Sequence, residues 1–176
     1  MATIVGMPLP EPYSSTVQSV RDDLVAEFDV DPYANPFPHF SLYALADDVD
    51  VDAVEHAVAE AASAHDPFDV QTDGVGVFPG NHVWLPVARR PELTALHCDV
   101  VDALEEFETA PVPFYEPRRW FPHVGFALGL DDERAANVVE HLLDRDFEWT
   151  VEMNEITVTR PPADGERYEE VASIGL

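Results

Sequence analysis

The chain of 176 residues has no lysine, a single cysteine and only eight glycines. Because Cys98 stands alone, an intrachain disulfide and a thiolate-rich zinc site are both excluded. No run of about 20 apolar residues occurs, so we expect no transmembrane helix and no membrane partner. The first nine residues lack a basic segment and a long apolar run, and we therefore expect no signal peptide. These absences predict a soluble cytoplasmic protein.

Charge in this chain is strongly one-sided. The 35 acidic residues outnumber nine arginines, which gives a net charge of −26 at pH 7. The acids are dispersed, for example at Asp47-Asp48 and Glu105-Glu106, which is unlike a disordered acidic tail. Such a surface is typical of halophilic proteins, because a Debye length of about 3 Å at 1 M salt screens the self-repulsion. It disfavours long-range attraction of nucleic acid but is compatible with a nucleotide held by short-range contacts.

The hydrophobic periodicity predicts a mixture of helices and strands. Helices are predicted at residues 14–28, 50–65, 91–107 and 131–143. Strands are predicted at 3–9, 39–46, 123–130, 147–151, 156–160 and 171–176, with a hairpin over 75–87. The 16 prolines and the alternation of hairpins with helices favour an α+β fold with antiparallel sheets, in a single domain over 1–176. Gly74 and Gly76 lie inside a strand pattern and open no helix, so they do not form a dinucleotide-binding loop.

Two short stretches of the sequence are nearly the same. They read Phe37-Pro38-His39-Phe40-Ser41-Leu42 and Phe121-Pro122-His123-Val124-Gly125-Phe126, and one lies in each half of the chain. A single strand of this kind is better explained as a packed core strand. Two matched strands instead favour a site at an internal two-fold, with one imidazole from each half.

The strand period decides which side chains would share this site. Alternate residues of a strand point to the same face, so His39 shares a face with Ser41 and Tyr43. On the second strand His123 shares a face with Gly125 and other small residues, which leaves room for a ligand. The opposite face of the second strand carries the predicted core residues Val124, Phe126, Leu128 and Leu130.

The other five histidines form no metal-binding pattern. They are His56, His65, His82, His97 and His141. None belongs to a His-x-x-x-His pair or to a zinc helix of the metallohydrolase type, so we expect no metal site.

In their order and spacing these motifs resemble the 2H phosphoesterase superfamily, which is named for two His-x-Thr/Ser motifs. The likeness is greatest to its 2′-5′ RNA ligase and cyclic phosphodiesterase branch, and it includes residues 8–21, the hairpin at 74–87 and the ending at 156–176. The resemblance implies two pseudo-symmetric lobes of antiparallel sheet with outer helices around a central cleft, with one motif strand from each lobe (39–46 and 123–130). It also implies that His39 and His123 form an acid/base pair and that Ser41 donates a hydrogen bond to a phosphate oxygen.

Gly125 departs from the family pattern, because a threonine or serine is expected at its position. A backbone N–H, a water or another side chain would have to replace the missing donor. Tyr115, Arg118 and Arg119 lie in the loop before the second motif, within reach of a phosphate. The two arginines fit equally well as a surface pair that balances nearby acids. Tyr43 is a candidate to stack on a base, although such aromatic residues are more often core.

The sequence supports three hypotheses. The first is a monomeric, metal-independent phosphodiesterase without a cofactor, which hydrolyses 2′,3′-cyclic phosphate or 2′-5′ linked ends of RNA or small nucleotides. The second is a catalytically weakened protein of the same fold that binds a nucleotide or an RNA end, and Gly125 motivates it. The third is a structural or interaction domain in which the repeat is coincidental. Imidazoles that lie far apart, or away from any cleft, would favour the third.

Overall fold

The computed structural model describes residues 2–110, 113–161 and 167–176. The described strands are β1 (Thr3–Pro8), β2 (His39–Leu45), β3 (Phe68–Thr72), β4 (Gly76–Phe78), β5 (His82–Pro86), β6 (His123–Ala127), β7 (Trp149–Met153), β8 (Glu155–Arg160) and β9 (Glu169–Gly175). The described helices are α1 (Tyr13–Phe28), α2 (Val51–Ala62), α3 (Pro91–Ala103) and α4 (Asp132–Leu142), and a 3₁₀ turn covers Pro113–Tyr115.

Seven of these strands form one sheet in the order β4-β5-β6-β2-β1-β8-β9. A second sheet pairs β3 with β7, and the named strand pairings in both sheets are antiparallel. The predicted α+β fold with antiparallel sheets is therefore confirmed. The two motif strands, β2 and β6, are direct neighbours near the middle of the large sheet. The division of the chain into two lobes stays a prediction.

The hydrophobic core lies between this sheet and the helices. In α1, Val17, Val20 and Leu24 recur at helical spacing and are buried. They belong to the same core as Phe40 of β2 and Val124 of β6, which are both fully buried. Helix α1 contacts β6, and α3 contacts β2, so a helix supports each motif strand. Among the described helices, none is both long and apolar enough to cross a bilayer.

The second motif strand is shorter than its pattern predicts. It ends at Ala127 rather than at residue 130, because Gly129 adopts a φ of 62° that breaks the extended backbone. The alternation predicts Leu128 to be core, but this residue is 55% exposed. The first motif strand also ends one residue early, at Leu45.

Three helices also end earlier than their patterns predict, and α4 does so by one residue, at Leu142 rather than at 143. Helix α2 ends at Ala62 rather than at 65, and α3 ends at Ala103 rather than at 107. After α3, the amide of Glu105 donates to the carbonyl of Asp102 and the amide of Phe107 to that of Leu104. These three-residue bonds tighten the chain into turns that end the α-helix.

Candidate active site

The antiparallel pairing of β2 with β6 brings the two motif histidines together. Phe40 pairs with Val124, so the register sets His39 opposite Gly125 and Ser41 opposite His123. These four residues line one cleft of about 210 Å³. We call it the histidine cleft. The predicted juxtaposition of one imidazole from each half is present, which argues against a coincidental repeat.

Both imidazoles are oriented by the same local hydrogen bond. The Nδ1 atom of His39 lies 2.6 Å from the carbonyl oxygen of Phe37, and Nδ1 of His123 lies 2.7 Å from that of Phe121. A carbonyl oxygen only accepts, so Nδ1 carries the proton in each ring and Nε2 is left to exchange protons with a ligand. The Phe-Pro-His repeat therefore places both histidines in the same tautomer, with the proton on Nδ1.

Each motif is also anchored by the carbonyl of its proline. The carbonyl oxygen of Pro38 accepts from the amide of Leu9 at 2.8 Å, and that of Pro122 accepts from the amide of Val87 at 3.1 Å. Proline has no amide hydrogen, so only its carbonyl joins the neighbouring strand. The equivalence of the two halves therefore extends to the two backbone carbonyls that precede each histidine.

Burial keeps both imidazoles neutral at pH 7. It lowers the pKa of His39 from 6.5 to about 4, and the nearby charges of Arg21 and His123 act in the same direction. Burial also lowers the pKa of His123, aided by the charge of His82. The effect of His123 on His39 is itself a sign of their proximity. Each Nε2 thus carries a lone pair that is available to accept a proton.

The hydroxyl of Ser41 lies beside the first imidazole. Its Oγ is 3.3 Å from Nε2 of His39, and it also hydrogen-bonds the side chain of Tyr115. Tyr43 is not in the histidine cleft, because its ring packs 6.2 Å from the ring of Tyr115. Tyr115 does not line the cleft either, but it reaches the first motif through Ser41.

Ser41 is supported from behind by two buried rings. Its carbonyl oxygen accepts a hydrogen bond of 2.9 Å from Nε1 of Trp120. His97 stacks on Trp120 with ring centroids 3.7 Å apart and planes 2° from parallel. His97 is fully buried and Trp120 is 3% exposed, so both belong to the scaffold of the first motif.

Tyr33 fills the space above Gly125, and the sequence does not predict it as a site residue. A Cβ atom built on Gly125 would lie closer than 3.0 Å to three atoms of Tyr33, and the nearest of them is the hydroxyl oxygen. Tyr33 also lines the histidine cleft. The only signal in the sequence is its place in the proline-rich loop before the first motif, which mirrors that of Tyr115 before the second.

Arg21 of α1 holds this arrangement in place. Its Nε and Nη2 atoms donate to the carbonyl oxygen of Gly125 at 3.1 and 2.9 Å, and Nη1 donates to that of Asn35 at 3.2 Å. Its guanidinium carbon lies 4.1 Å from the centroid of the Tyr33 ring. The sequence signal is an arginine within the apolar spacing of a helix, and Arg21 is in fact only 3% exposed.

Aromatic rings surround His123. The ring centroid of Phe78 lies 4.9 Å away and that of Trp84 lies 5.6 Å away, and these two rings stack on each other at 4.4 Å. Gly76 allows this packing, because a Cβ there would overlap the Trp84 ring. The second imidazole is therefore held by side-chain rings as well as by its own backbone.

Arg118 and Arg119 do not line the histidine cleft. They lie with Arg89 along a neighbouring groove of about 560 Å³, which we call the arginine groove. Arg119 stacks 5.6 Å over the ring of Phe114, and both Arg118 and Arg119 are exposed. The groove reaches Phe121, two residues before His123, so it adjoins the second motif.

Metal-ligating side chains are not clustered in the described part of the chain. No group of three or more histidine, cysteine, aspartate or glutamate residues there is placed to hold an ion. The polar side chains that line the histidine cleft are imidazoles, hydroxyls and the amide of Asn35, and the guanidinium of Arg21 lies behind them. These groups suit an anion better than a cation.

The family of the chain follows from its sequence as well as from this geometry. The model of the 2′-5′ RNA ligase superfamily matches residues 9–165, a span that includes both Phe-Pro-His motifs. The chain belongs to the 2′-5′ RNA ligase superfamily. The resemblance to 2H phosphoesterases is thereby confirmed. No curated protein sequence matches the chain.

Solved structures share the fold of this superfamily member. The protein TT0787 of Thermus thermophilus is similar with a TM-score of 0.71 and 16% identity, over 100% of this chain and 98% of that one. Escherichia coli LigT complexed with 3′-AMP has a TM-score of 0.63 and 18% identity, over 99% of this chain and 97% of that one. The MHV ns2 PDE domain has a TM-score of 0.51 and 18% identity, over 99% of both chains. At these identities the likeness establishes the fold.

Proposed function

We propose that this member of the superfamily is a phosphodiesterase that opens 2′,3′-cyclic phosphates or hydrolyses 2′-5′ linked ends of RNA or small nucleotides. The observation that carries the proposal is the pair of imidazoles, His39 and His123, which share one cleft and one tautomer. The neighbouring fold of LigT has been solved with 3′-AMP and with phosphate, which are ligands of the proposed chemistry.

Two imidazoles are sufficient for this hydrolysis. One Nε2 takes a proton from water as the water oxygen forms a bond to phosphorus. The bond from phosphorus to one ribose oxygen breaks, and the second imidazole donates a proton to that oxygen. The negative charge of the bound phosphate raises the pKa of this imidazole relative to the empty cleft, so that it can enter the reaction protonated. Acid/base catalysis of this kind typically contributes about 10²–10⁴-fold to the rate at each group.

The phosphate oxygens need donors while negative charge develops on them. Ser41 is suited to this role, because its hydroxyl lies beside His39 and is held by Tyr115. The arginine groove adjoins the second motif, and we propose that exposed Arg118 and Arg119 contact the remainder of an RNA strand there. We propose only a minor contribution of Tyr43 to substrate binding, because its ring packs on that of Tyr115 outside the histidine cleft.

The proposed enzyme acts as a cytoplasmic monomer in concentrated salt. Both imidazoles and the Ser41 hydroxyl come from one chain, which supports the proposal of a monomer. The net charge of −26 supports a working environment in which salt screens repulsion between carboxylates.

The test is hydrolysis of adenosine 2′,3′-cyclic phosphate in concentrated KCl with EDTA present. We expect wild-type protein to produce a single monophosphate, and His39→Ala and His123→Ala to lower kcat/KM by at least about 10²-fold each. His56→Ala is the matched control, because His56 is exposed on α2 away from the cleft. Turnover that survives both motif substitutions would refute the two-histidine mechanism.

A second candidate is a nucleotide-binding protein with little turnover. Gly125 favours it, because the second motif lacks its own hydroxyl. Calorimetric titration with 3′-AMP separates the two functions. Tight binding combined with no hydrolysis of cyclic phosphates or 2′-5′ linked dinucleotides would establish the binding role instead.

A further inference from the structure

The place of the missing hydroxyl in the second motif is already occupied. A side chain on Gly125 would point to the same face of β6 as His123, which is the face that forms the histidine cleft. The hydroxyl oxygen of Tyr33 is the atom nearest to where the first carbon of that side chain would lie. The hydroxyl thus lies within a bond length or two of the position where a serine or threonine would carry its own.

We propose that Tyr33 supplies the second hydrogen-bond donor to the phosphate, in place of the motif hydroxyl that Gly125 lacks. This inference rests on the phosphodiesterase function proposed above and adds a residue to its site. Glycine at position 125 then does not indicate a loss of catalytic activity. It is the residue that makes room for a phenol from another part of the chain.

The Tyr33 hydroxyl is free to serve a ligand. Within the described ranges, no atom of the protein forms a hydrogen bond with it. Burial raises the pKa of Tyr33, so the phenol keeps its proton at neutral pH and acts as a donor. An unused donor at the wall of a cleft that also holds two imidazoles is directed at an anionic ligand.

Contacts from Arg21 and Asn35 hold the segment that carries Tyr33 in place. The Arg21 guanidinium stacks on its ring and bonds the carbonyl oxygens of Gly125 and Asn35. The amide nitrogen of the Asn35 side chain donates to the hydroxyl of Thr159 at 3.0 Å, and its oxygen accepts from the amide of Phe37 at 3.0 Å. A donor fixed in this way needs no reorganisation as charge develops on the phosphate.

Arg21 adds a positive charge behind the tyrosine. Its hydrogen bonds in the described structure all go to carbonyl oxygens, so no carboxylate neutralises it by direct contact. Burial lowers its pKa to about 10, which still leaves it charged at neutral pH. A buried guanidinium whose hydrogen bonds in the described structure go to carbonyl oxygens favours an anion in the neighbouring cleft.

Tyr33 and Tyr115 each come from the loop before one motif and contact the other motif. Tyr115, from the loop before the second motif, bonds Ser41 of the first motif. Tyr33, from the loop before the first motif, covers Gly125 of the second motif. Each motif therefore has one phenol contributed by the loop of the other, and only in the second does the phenol replace the motif hydroxyl.

Removal of one oxygen atom tests the proposal. We expect Tyr33→Phe to lower kcat for adenosine 2′,3′-cyclic phosphate by about 10²–10³-fold, as for other lost donors to a developing anion. Tyr13→Phe is the matched control, because the Tyr13 hydroxyl bonds only the carbonyl of Thr150 away from the cleft. Thermal unfolding of both variants checks that each is folded. A folded Tyr33→Phe protein with wild-type kcat would overturn the proposal.

Two double variants test whether a hydroxyl is needed at this place, whichever residue carries it. Gly125→Thr alone overlaps Tyr33, so we expect it to lose activity. Tyr33→Ala/Gly125→Thr removes the overlap and returns a hydroxyl to the strand, whereas Tyr33→Ala/Gly125→Val fills the same volume without one. We expect the threonine form to be at least about tenfold faster than the valine form. Equal rates would contradict a requirement for a hydroxyl at this position.

Binding separates this inference from the function on which it rests. We expect Tyr33→Phe to weaken the affinity for 3′-AMP by at least about tenfold, since hydrogen bonds to charged groups contribute about 1.5–3 kcal/mol. Binding that depends on Tyr33 without any turnover would refute the phosphodiesterase but keep the donor. Turnover that is unchanged by Tyr33→Phe would support the phosphodiesterase but refute Tyr33 as a donor. Failure of the wild-type protein both to bind 3′-AMP or inorganic phosphate and to hydrolyse the cyclic phosphate would overturn both.

Discussion

The two halves of the histidine cleft agree in backbone and differ in side chains. In both, a histidine donates from Nδ1 to the phenylalanine carbonyl two residues earlier. In both, the histidine pairs with a proline at the end of the neighbouring strand, His39 with Pro8 and His123 with Pro86. The imidazole positions are therefore set by the same local geometry in each half.

The two halves differ in which position carries a bulky side chain and which carries a small one. Ser41 pairs with Gly6 across β1, whereas Gly125 pairs with Trp84 across β5. In the first half the imidazole of His39 lies over a glycine, and a small serine carries the hydroxyl. In the second half a tryptophan takes the place of that glycine, and Tyr33 covers the glycine that takes the place of serine. The repeat thus preserves the positions of the two imidazoles while the side chains beside them change.

The largest effect that would sharpen this comparison is expected at Ser41. Ser41→Ala removes the hydroxyl beside His39 without adding volume, and we expect a decrease in kcat of about 10²–10³-fold. Ser41→Thr keeps the hydroxyl and is the control, with most of the activity retained. If Ser41→Ala is fully active while Tyr33→Phe is not, only the second half supplies a donor.

A smaller effect is expected at Gly6. A Cβ there would lie 2.8 Å from Cδ2 of His39 and 3.0 Å from the carbonyl oxygen of Phe40, so the imidazole must move. We expect Gly6→Ala to lower kcat at least about tenfold, because a misplacement of 1 Å can cost roughly 10²-fold. Gly175→Ala is the control, since a Cβ there meets only one atom, at 4.0 Å. An unaffected Gly6→Ala enzyme would show that the first imidazole does not depend on the space that Gly6 leaves.

The smallest effect concerns the pH dependence of stability. The unfolded chain protonates His39 below about pH 6.5, whereas in the folded protein its pKa is about 4. Between these values the unfolded state binds more protons, so the free energy of unfolding contributed by His39 falls as pH decreases through this window. Above pH 6.5 the contribution is fully present.

Urea unfolding at fixed salt between pH 7 and pH 4 measures this contribution. We expect His39→Gln to show a flatter pH dependence than wild type, and His123→Gln to show the same change to a smaller extent, since its pKa is also lowered. The carboxylates are common to all three proteins, so their titration cancels in the comparison. Identical slopes for wild type and His39→Gln would contradict a neutral, buried imidazole.

Much of the fold was predictable because its signals are local. Hydrophobic periodicity indicated four helices close to their observed positions, and the motif strands were found by alternation. The ends were less predictable. Leu128 follows the alternation of β6, yet the φ of 62° at Gly129 ends the strand and leaves Leu128 exposed. A periodic pattern does not reveal which of several glycines adopts the left-handed region.

The sequence by itself determined the two imidazoles and their tautomer. The Phe-Pro-His repeat identifies the histidines, and each Nδ1 hydrogen bond spans only two residues. Tertiary structure alone decided what surrounds them. Tyr33 meets Gly125, and Arg21 reaches both, only because α1 and the loop before β2 pack against β6. Contacts between residues so far apart in the chain depend on the packing of whole elements, which no local pattern records.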